Sequence, residues 1–188
     1  MRLSPLFVMM LSFPFAGMAY GECKLPVGDE WVRGASSSFA GMTASIWRKK
    51  EEVSMANQAL EARLVLVKNE ECLASYSGER RSGTAIVPWG DSKIGKFYFD
   101  SKTEFLQVSS DYHHGYIEEN TALFHFDSKE KTLKKVWSET TKFIAHNGES
   151  DNHEIKVSGD ELQLLDEKGA KVAAWKWNAK KSTFVKIQ

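Results

Sequence analysis

The sequence predicts an all-β protein: an antiparallel meander of about eleven short strands in a closed or doubled sheet, either barrel, sandwich or propeller-like, with at most one short helix. Three observations predict this fold. From Gly83 onward, runs of β-branched and aromatic residues recur at roughly ten-residue intervals. Several runs alternate in polarity, as Ala173 and Trp175 do with Ala174 and Lys176, which is the period of half-buried strands. Four runs also end in one type of turn.

The shared turn places Asp or Asn after an apolar residue and Lys two residues further on. A side-chain oxygen of Asp or Asn accepts a hydrogen bond from a backbone N–H two residues later, which closes a hairpin. An apolar residue seven places after the first is expected to return to the same buried face. The four copies are Phe99–Lys102 with Leu106, Phe126–Lys129 with Leu133, Leu165–Lys168 with Val172, and Trp177–Lys180 with Phe184. Their unequal separations favour common turn chemistry over a blade repeat, which stays the alternative.

Residues 1–21 have the charged start, apolar centre and small-residue exit of a secretory signal peptide, with cleavage after Ala19 or Gly21. The apolar run is shorter than the roughly 20 residues of a membrane span and contains prolines. We therefore expect a periplasmic or secreted protein with no membrane anchor after cleavage, and one all-β domain over residues 22–188. Removal of the leader leaves one more acidic than basic group, a balance that argues against nucleic-acid binding.

Cys23 and Cys72 are the two cysteines of the chain. In an oxidising compartment an even count favours one disulfide, which would stabilise the fold by about 4 kcal/mol on the chain-entropy model. Two free thiols or a metal pair are the alternatives. No Cys-x-x-Cys spacing supports zinc.

The elements between the cysteines follow from local composition. Residues 24–42 are rich in Gly and Ser and lack periodicity, which predicts a loop. Residues 43–47 form the first predicted strand, and the mixed charges of residues 48–52 are interpreted as a solvated face or turn. A short helix is allowed near residues 54–60. A hairpin pairs residues 60–67 with 72–76, and the later predicted strands cover residues 84–87, 95–99, 105–109, 114–118, 122–126, 133–138, 142–146, 154–157, 161–165, 171–177 and 183–187.

The histidines offer one route to a catalytic function. A turn at Glu119 and Asn120 would set His114 opposite His125 on one sheet face, close to Asp127, where a metal could bind. A metal-dependent hydrolase is therefore one alternative, although no metal-ligand signature and no Gly-x-Ser-x-Gly motif is present in the sequence. The prediction is a protein that is not an enzyme and has no cofactor or metal.

Aromatic residues in predicted loops are the candidate binding residues. They lie in two segments, Pro88–Lys93 with Trp89 and Asp91, and Asp111–Tyr116 with Tyr112, His114 and Tyr116. Exposed aromatic side chains anchor protein partners or stack on sugars, whereas packing against the core is the alternative for a loop tryptophan. Trp137, Trp175 and Trp177 lie on strand patterns and are predicted to be core residues.

The closing segment, Ala174-Trp175-Lys176-Trp177-Asn178-Ala179-Lys180 followed by Phe184, resembles the last hairpin of many small bacterial periplasmic β proteins. Glycine is usual where this chain has Ala179. Some of those proteins inhibit cell-wall hydrolases or confer immunity to secreted toxins, and the resemblance assigns no functional residue. The prediction is an exported, non-catalytic protein that binds another protein, most concretely an inhibitor or immunity-type protein. A carbohydrate or cell-wall binding module is the alternative.

Overall fold

The computed structural model describes residues 23–49, 62–77, 92–113 and 115–187, apart from the side chains of Tyr112 and His113. These residues form thirteen antiparallel strands in three sheets. The all-β prediction is confirmed. Within the described ranges there is no helix, and so none that is long and apolar enough to cross a membrane. The allowed helix near residues 54–60 and the predicted strand at 84–87 lie outside these ranges.

Each sheet is a meander in which consecutive strands pair. The N-terminal sheet contains β1 (Trp31–Phe39), β2 (Met42–Lys49), β3 (Ala62–Lys68) and β4 (Glu71–Ser77). The central sheet contains β5 (Ser92–Tyr98), β6 (Glu104–His113), β7 (Ile117–Asp127), β8 (Thr132–Ile144) and β9 (Ser150–Asn152). The C-terminal sheet contains β10 (Glu154–Ser158), β11 (Glu161–Leu165), β12 (Lys171–Asn178) and β13 (Thr183–Lys186).

The central sheet is buried on both faces. Leu106 and Phe124 are fully buried in a cluster with the N-terminal sheet, whereas their neighbours Phe105 and Leu123 are fully buried against the C-terminal sheet. Adjacent residues of a strand point to opposite faces, so each strand supplies two cores. Strand β1 lies beside β5 and β4 beside β8, which brings the edges of the N-terminal sheet to the central sheet. The second core contains Trp137 and Trp175, with Trp177 packed against it, as predicted.

The predicted turn chemistry is confirmed in three of the four turns. In three turns the carboxylate accepts a hydrogen bond from the backbone N–H two residues on: Asp100 from Lys102, Asp127 from Lys129 and Asp166 from Lys168. In the fourth, Asn178 accepts from Lys181, three residues on. The N–H of Lys102 lowers the pKa of Asp100, and those of Glu130 and Lys129 lower the pKa of Asp127. These acids therefore serve as turn formers.

The expected return to one buried face holds for two of the four hairpins. Phe126 pairs with Leu133, and Trp177 with Phe184, within one core each. The prediction is wrong for Phe99 and Leu106, which lie in different cores because the first hairpin pairs Leu106 with Lys96. It is also wrong for Val172, an extra residue in β12 that is 49% exposed.

Two predictions near the N-terminus are wrong. Residues 31–39, expected within a loop, form β1, whose irregular register between Arg33 and Ser36 accommodates the Gly- and Ser-rich sequence. Glycine and serine have low intrinsic β-propensity, so β1 depends on its backbone hydrogen bonds to β2. Arg48, expected with residues 49–52 on a solvated face or turn, instead follows Ala44 and Ile46 on the inward face of β2 and donates a hydrogen bond from Nη2 to Ser92 Oγ at 3.3 Å, while residues 50–52 lie outside the described ranges.

The predicted disulfide is present. Cys23 and Cys72 are joined with their Cα atoms 5.6 Å apart, which attaches the start of the described chain to β4. Such a bond is compatible with an oxidising, extracellular compartment. The predicted signal peptide lies outside the described residues.

Candidate functional site

One end of the molecule, here called the loop end, collects the termini of nine of the described strands. Strands β2, β4, β6 and β8 end there and β1, β3, β5, β7 and β9 begin there, because neighbouring strands are antiparallel. The bond between Arg48 and Ser92 joins the two sheets at this end. The segments with the predicted binding residues, 88–93 and 111–116, adjoin the paired ends of β5 and β6, where Ser92 pairs with Ser110.

A row of polar side chains crosses the central sheet at the loop end, on its face toward the N-terminal sheet. Ser92, Ser110, Asn120 and Thr140 are successive register partners on β5 to β8. Ser92 Oγ and Ser110 Oγ lie 3.0 Å apart, and Thr140 Oγ1 donates to Asn120 Oδ1 at 3.0 Å. Asn120 Nδ2 in turn donates to the buried carboxylate of Glu118 at 2.9 Å. Buried, mutually bonded polar groups hold strands in one arrangement.

A second polar chain lies on the opposite face. The hydroxyl oxygens of Ser109, Thr121 and Thr141 are joined by two contacts of 2.8 Å, and Thr141 approaches Glu119 Oε1 at 3.4 Å. Thr141 is an extra residue in β8, between the partners of Glu119 and Asn120. The bulge turns its hydroxyl toward Thr121, and both hydroxyls are buried. The loop end of the central sheet is thus bonded on both faces.

Beyond these polar groups, the described ends of β7 and β8 carry apolar side chains. We call Tyr116, Ile117, Phe143 and Ile144 the aromatic tip. The rings of Tyr116 and Phe143 lie 5.4 Å apart, Phe143 is 37% exposed, and Ile117 pairs with Ile144 across β7 and β8. A cavity of about 330 Å³ borders the tip and is lined by Tyr116, both isoleucines, Gly115 and Ala145.

Gly115 allows the turn that precedes the aromatic tip to approach closely the turn that follows it. Its φ is +75°, and a Cβ built on it would lie 2.6 Å from the imidazole of His146. Glycine suits this position because it adopts the left-handed backbone without strain and has no Cβ to displace the imidazole. The tip is therefore formed by two turns in direct contact.

Of the five predicted binding residues, only Tyr116 has both its backbone and its side chain within the described part of the structure. Tyr116 lies in the tip, partly buried. Tyr112 lies on β6 and pairs with Glu118, but its side chain is outside the described part. Trp89, Asp91 and His114 also lie outside it.

The predicted turn at Glu119 and Asn120 is wrong. Both residues lie within β7, and the hairpin instead turns between His113 and Ile117, which pair with each other. The polar pair resembled a turn in sequence, but its side chains bond to other strands. His125 therefore lies across from Lys134 on β8, with its ring 6.0 Å from that of Phe105 and 5.6 Å from that of Trp177.

The surroundings of His125 make stability depend on pH. Burial lowers its pKa from 6.5, while Asp127 opposes and Lys134 reinforces this effect. The unfolded chain then takes up a proton more readily, so the stabilisation is complete above about pH 6.5 and is lost as the pH falls through the lowered pKa. We expect the urea midpoint to fall on acidification from pH 7.5 to 5, with a smaller fall in His125→Gln. An equal fall in the wild type and in His125→Gln would contradict this assignment.

Within the described ranges, no group of three His, Cys, Asp or Glu residues is placed to hold a metal ion. Comparison of the chain with protein-family models and with curated proteins finds no match.

Sequence reasoning missed two parts of the loop end. Phe143 lies in a predicted strand, and only the register of β7 with β8 reveals its contact with Tyr116. The polar row is scattered over four strands, so it too depends on register. The inward position of Arg48 could have been predicted, because it continues the alternation of Ala44 and Ile46 along β2.

Proposed function

We propose that this protein is an exported, non-catalytic binding protein that recognises another protein, as an inhibitor or immunity-type protein of the periplasm does. The observation that carries the proposal is the aromatic tip. Its exposed Phe143 ring packs on Tyr116 at the end of the three longest strands. Aromatic side chains are enriched in the centres of protein interfaces, where they act as anchors.

Rigidity behind the tip supports the same proposal. The row of polar side chains on one face of the central sheet and the second polar chain, of Ser109, Thr121 and Thr141, on the other face cross-link β6, β7 and β8. Both lie within a few residues of Tyr116 and Phe143. A preformed surface loses little conformational entropy on binding, which favours affinity for a folded partner. Because these polar groups hydrogen-bond to one another across strands, we assign them a structural role.

Export is supported by the signal-peptide pattern of residues 1–21 and by the disulfide, which suits an oxidising compartment. The near balance of charge supports a protein partner over a nucleic acid.

Affinity capture from a periplasmic extract tests the proposal. We expect the wild-type chain to retain a specific partner and Phe143→Ser to retain it at least tenfold less, because an interface anchor contributes about 2 kcal/mol or more. The matched control is Tyr98→Ser, which removes an aromatic ring that is 62% exposed on the edge strand β5. Trp89→Ala and Tyr112→Ala test the other predicted binding residues. Equal capture by wild type and Phe143→Ser would contradict a role for the tip.

A further inference from the structure

A second concave surface lies on the outer face of the N-terminal sheet, on a different sheet from the aromatic tip. It is a cavity of about 370 Å³, within the range typical of small-ligand sites. Its apolar wall is formed by Trp47, Leu25 and Val67, and its polar part includes Arg33, Asn69 and Glu70. Leu25 comes from the segment that the disulfide attaches to β4.

The indole of Trp47 is held in a fixed position. Its Nε1 donates a hydrogen bond to Ser45 Oγ at 2.9 Å, and Ser45 is itself only 1% exposed. Arg33 is the register partner of Trp47 on β1. Since the hydrogen-bonding edge of the indole is engaged within the protein, its remaining surface in the cavity is an apolar aromatic ring.

Two of the polar residues that line the cavity lie on the β3–β4 turn. Asn69 and Glu70 are its two central residues, with φ of +51° and +67°. Both side chains are exposed beside the cavity, as is that of Arg33.

The mixture of groups defines the class of ligand. Arg33 only donates hydrogen bonds, the Glu70 carboxylate only accepts them, and the Asn69 amide does both. One cation and one anion at the same cavity disfavour a strongly charged ligand of either sign. A ring with several hydroxyl groups matches them, because each hydroxyl both donates and accepts and the C–H face of the ring packs on an indole.

We propose that this cavity binds one ring of a neutral oligosaccharide, with the sugar face on Trp47 and its hydroxyl groups bonded to Arg33, Asn69 and Glu70. The site is independent of the aromatic tip, so loss of one function leaves the other intact.

Isothermal titration with chitotriose, cellotriose and maltotriose tests this proposal on the mature protein. We expect saturable binding of at least one trisaccharide at millimolar concentration or below. Arg33→Gln and Glu70→Gln should each weaken it about tenfold, which corresponds to the loss of one good hydrogen bond. These exposed residues are chosen because their replacement leaves the core unchanged, which circular dichroism verifies.

Tyr98→Ser and Phe143→Ser are the matched controls, and both should bind the sugar as the wild type does. In a fluorescence titration, Trp47→Phe should lose the sugar-dependent change in emission. Failure of all three sugars to bind at millimolar concentration would overturn the proposal. Binding that is unchanged in both Arg33→Gln and Glu70→Gln would also overturn it.

Discussion

Replacement of Phe105 by alanine is expected to lower the free energy of unfolding by about 3–5 kcal/mol. The side chain is fully buried on the face of the central sheet that meets the C-terminal sheet. Its ring centroid lies 4.8 Å from that of Trp177 and 5.4 Å from that of Phe184. Truncation removes these contacts and leaves a cavity between two sheets whose strands cannot easily close it.

Urea unfolding followed by tryptophan fluorescence measures this effect. Tyr98→Ala is the control, since the side chain is 62% exposed and its loss should change stability by no more than about 0.5 kcal/mol. A loss below about 1 kcal/mol in Phe105→Ala would show that the two sheets do not share a packed core.

Loss of the disulfide is expected to have an effect of similar size. The double variant Cys23→Ala/Cys72→Ala should unfold with a free energy about 4 kcal/mol lower, because the bond closes a loop with a sequence separation of 49 residues. Both cysteines are only partly buried, so the alanines themselves add little to the change.

The same urea titration, on oxidised wild type, reduced wild type and the double variant, separates the bond from the substitutions. The last two should share one midpoint, below that of the oxidised protein. Coincident midpoints for oxidised and reduced wild type would contradict a stabilising role of the bond.

Much of the fold could be predicted because its signals are local. The Asp turns follow from side-chain bonds to the next few backbone N–H groups, and the late hairpins follow from alternation. The division into three sheets could not be predicted, because alternation gives the two faces of a strand but not what covers each. The adjacent large apolar residues Phe105 and Leu106 did indicate that β6 is buried on both faces.

The wrong predictions at Glu119, Asn120 and residues 31–39 depend on how neighbouring strands pair. Glu119 and Asn120 have turn-like composition, yet β8 and its bulge at Thr141 keep them in a strand. The strand β1 has weak local propensity and depends on β2. Of the candidate site, Tyr116 could be identified as an aromatic near a turn, whereas its neighbour Phe143 required the register of two distant segments.

The most direct test of protein recognition by the aromatic tip is site-specific photo-crosslinking. A benzophenone-bearing phenylalanine analogue would replace Phe143 in one protein and Tyr98 in another, both exposed aromatic positions on the central sheet. After irradiation in a periplasmic extract, we expect one discrete crosslinked protein from position 143 and none from position 98. Crosslinking of the captured partner from position 98 alone, or from neither position, would contradict recognition by the tip.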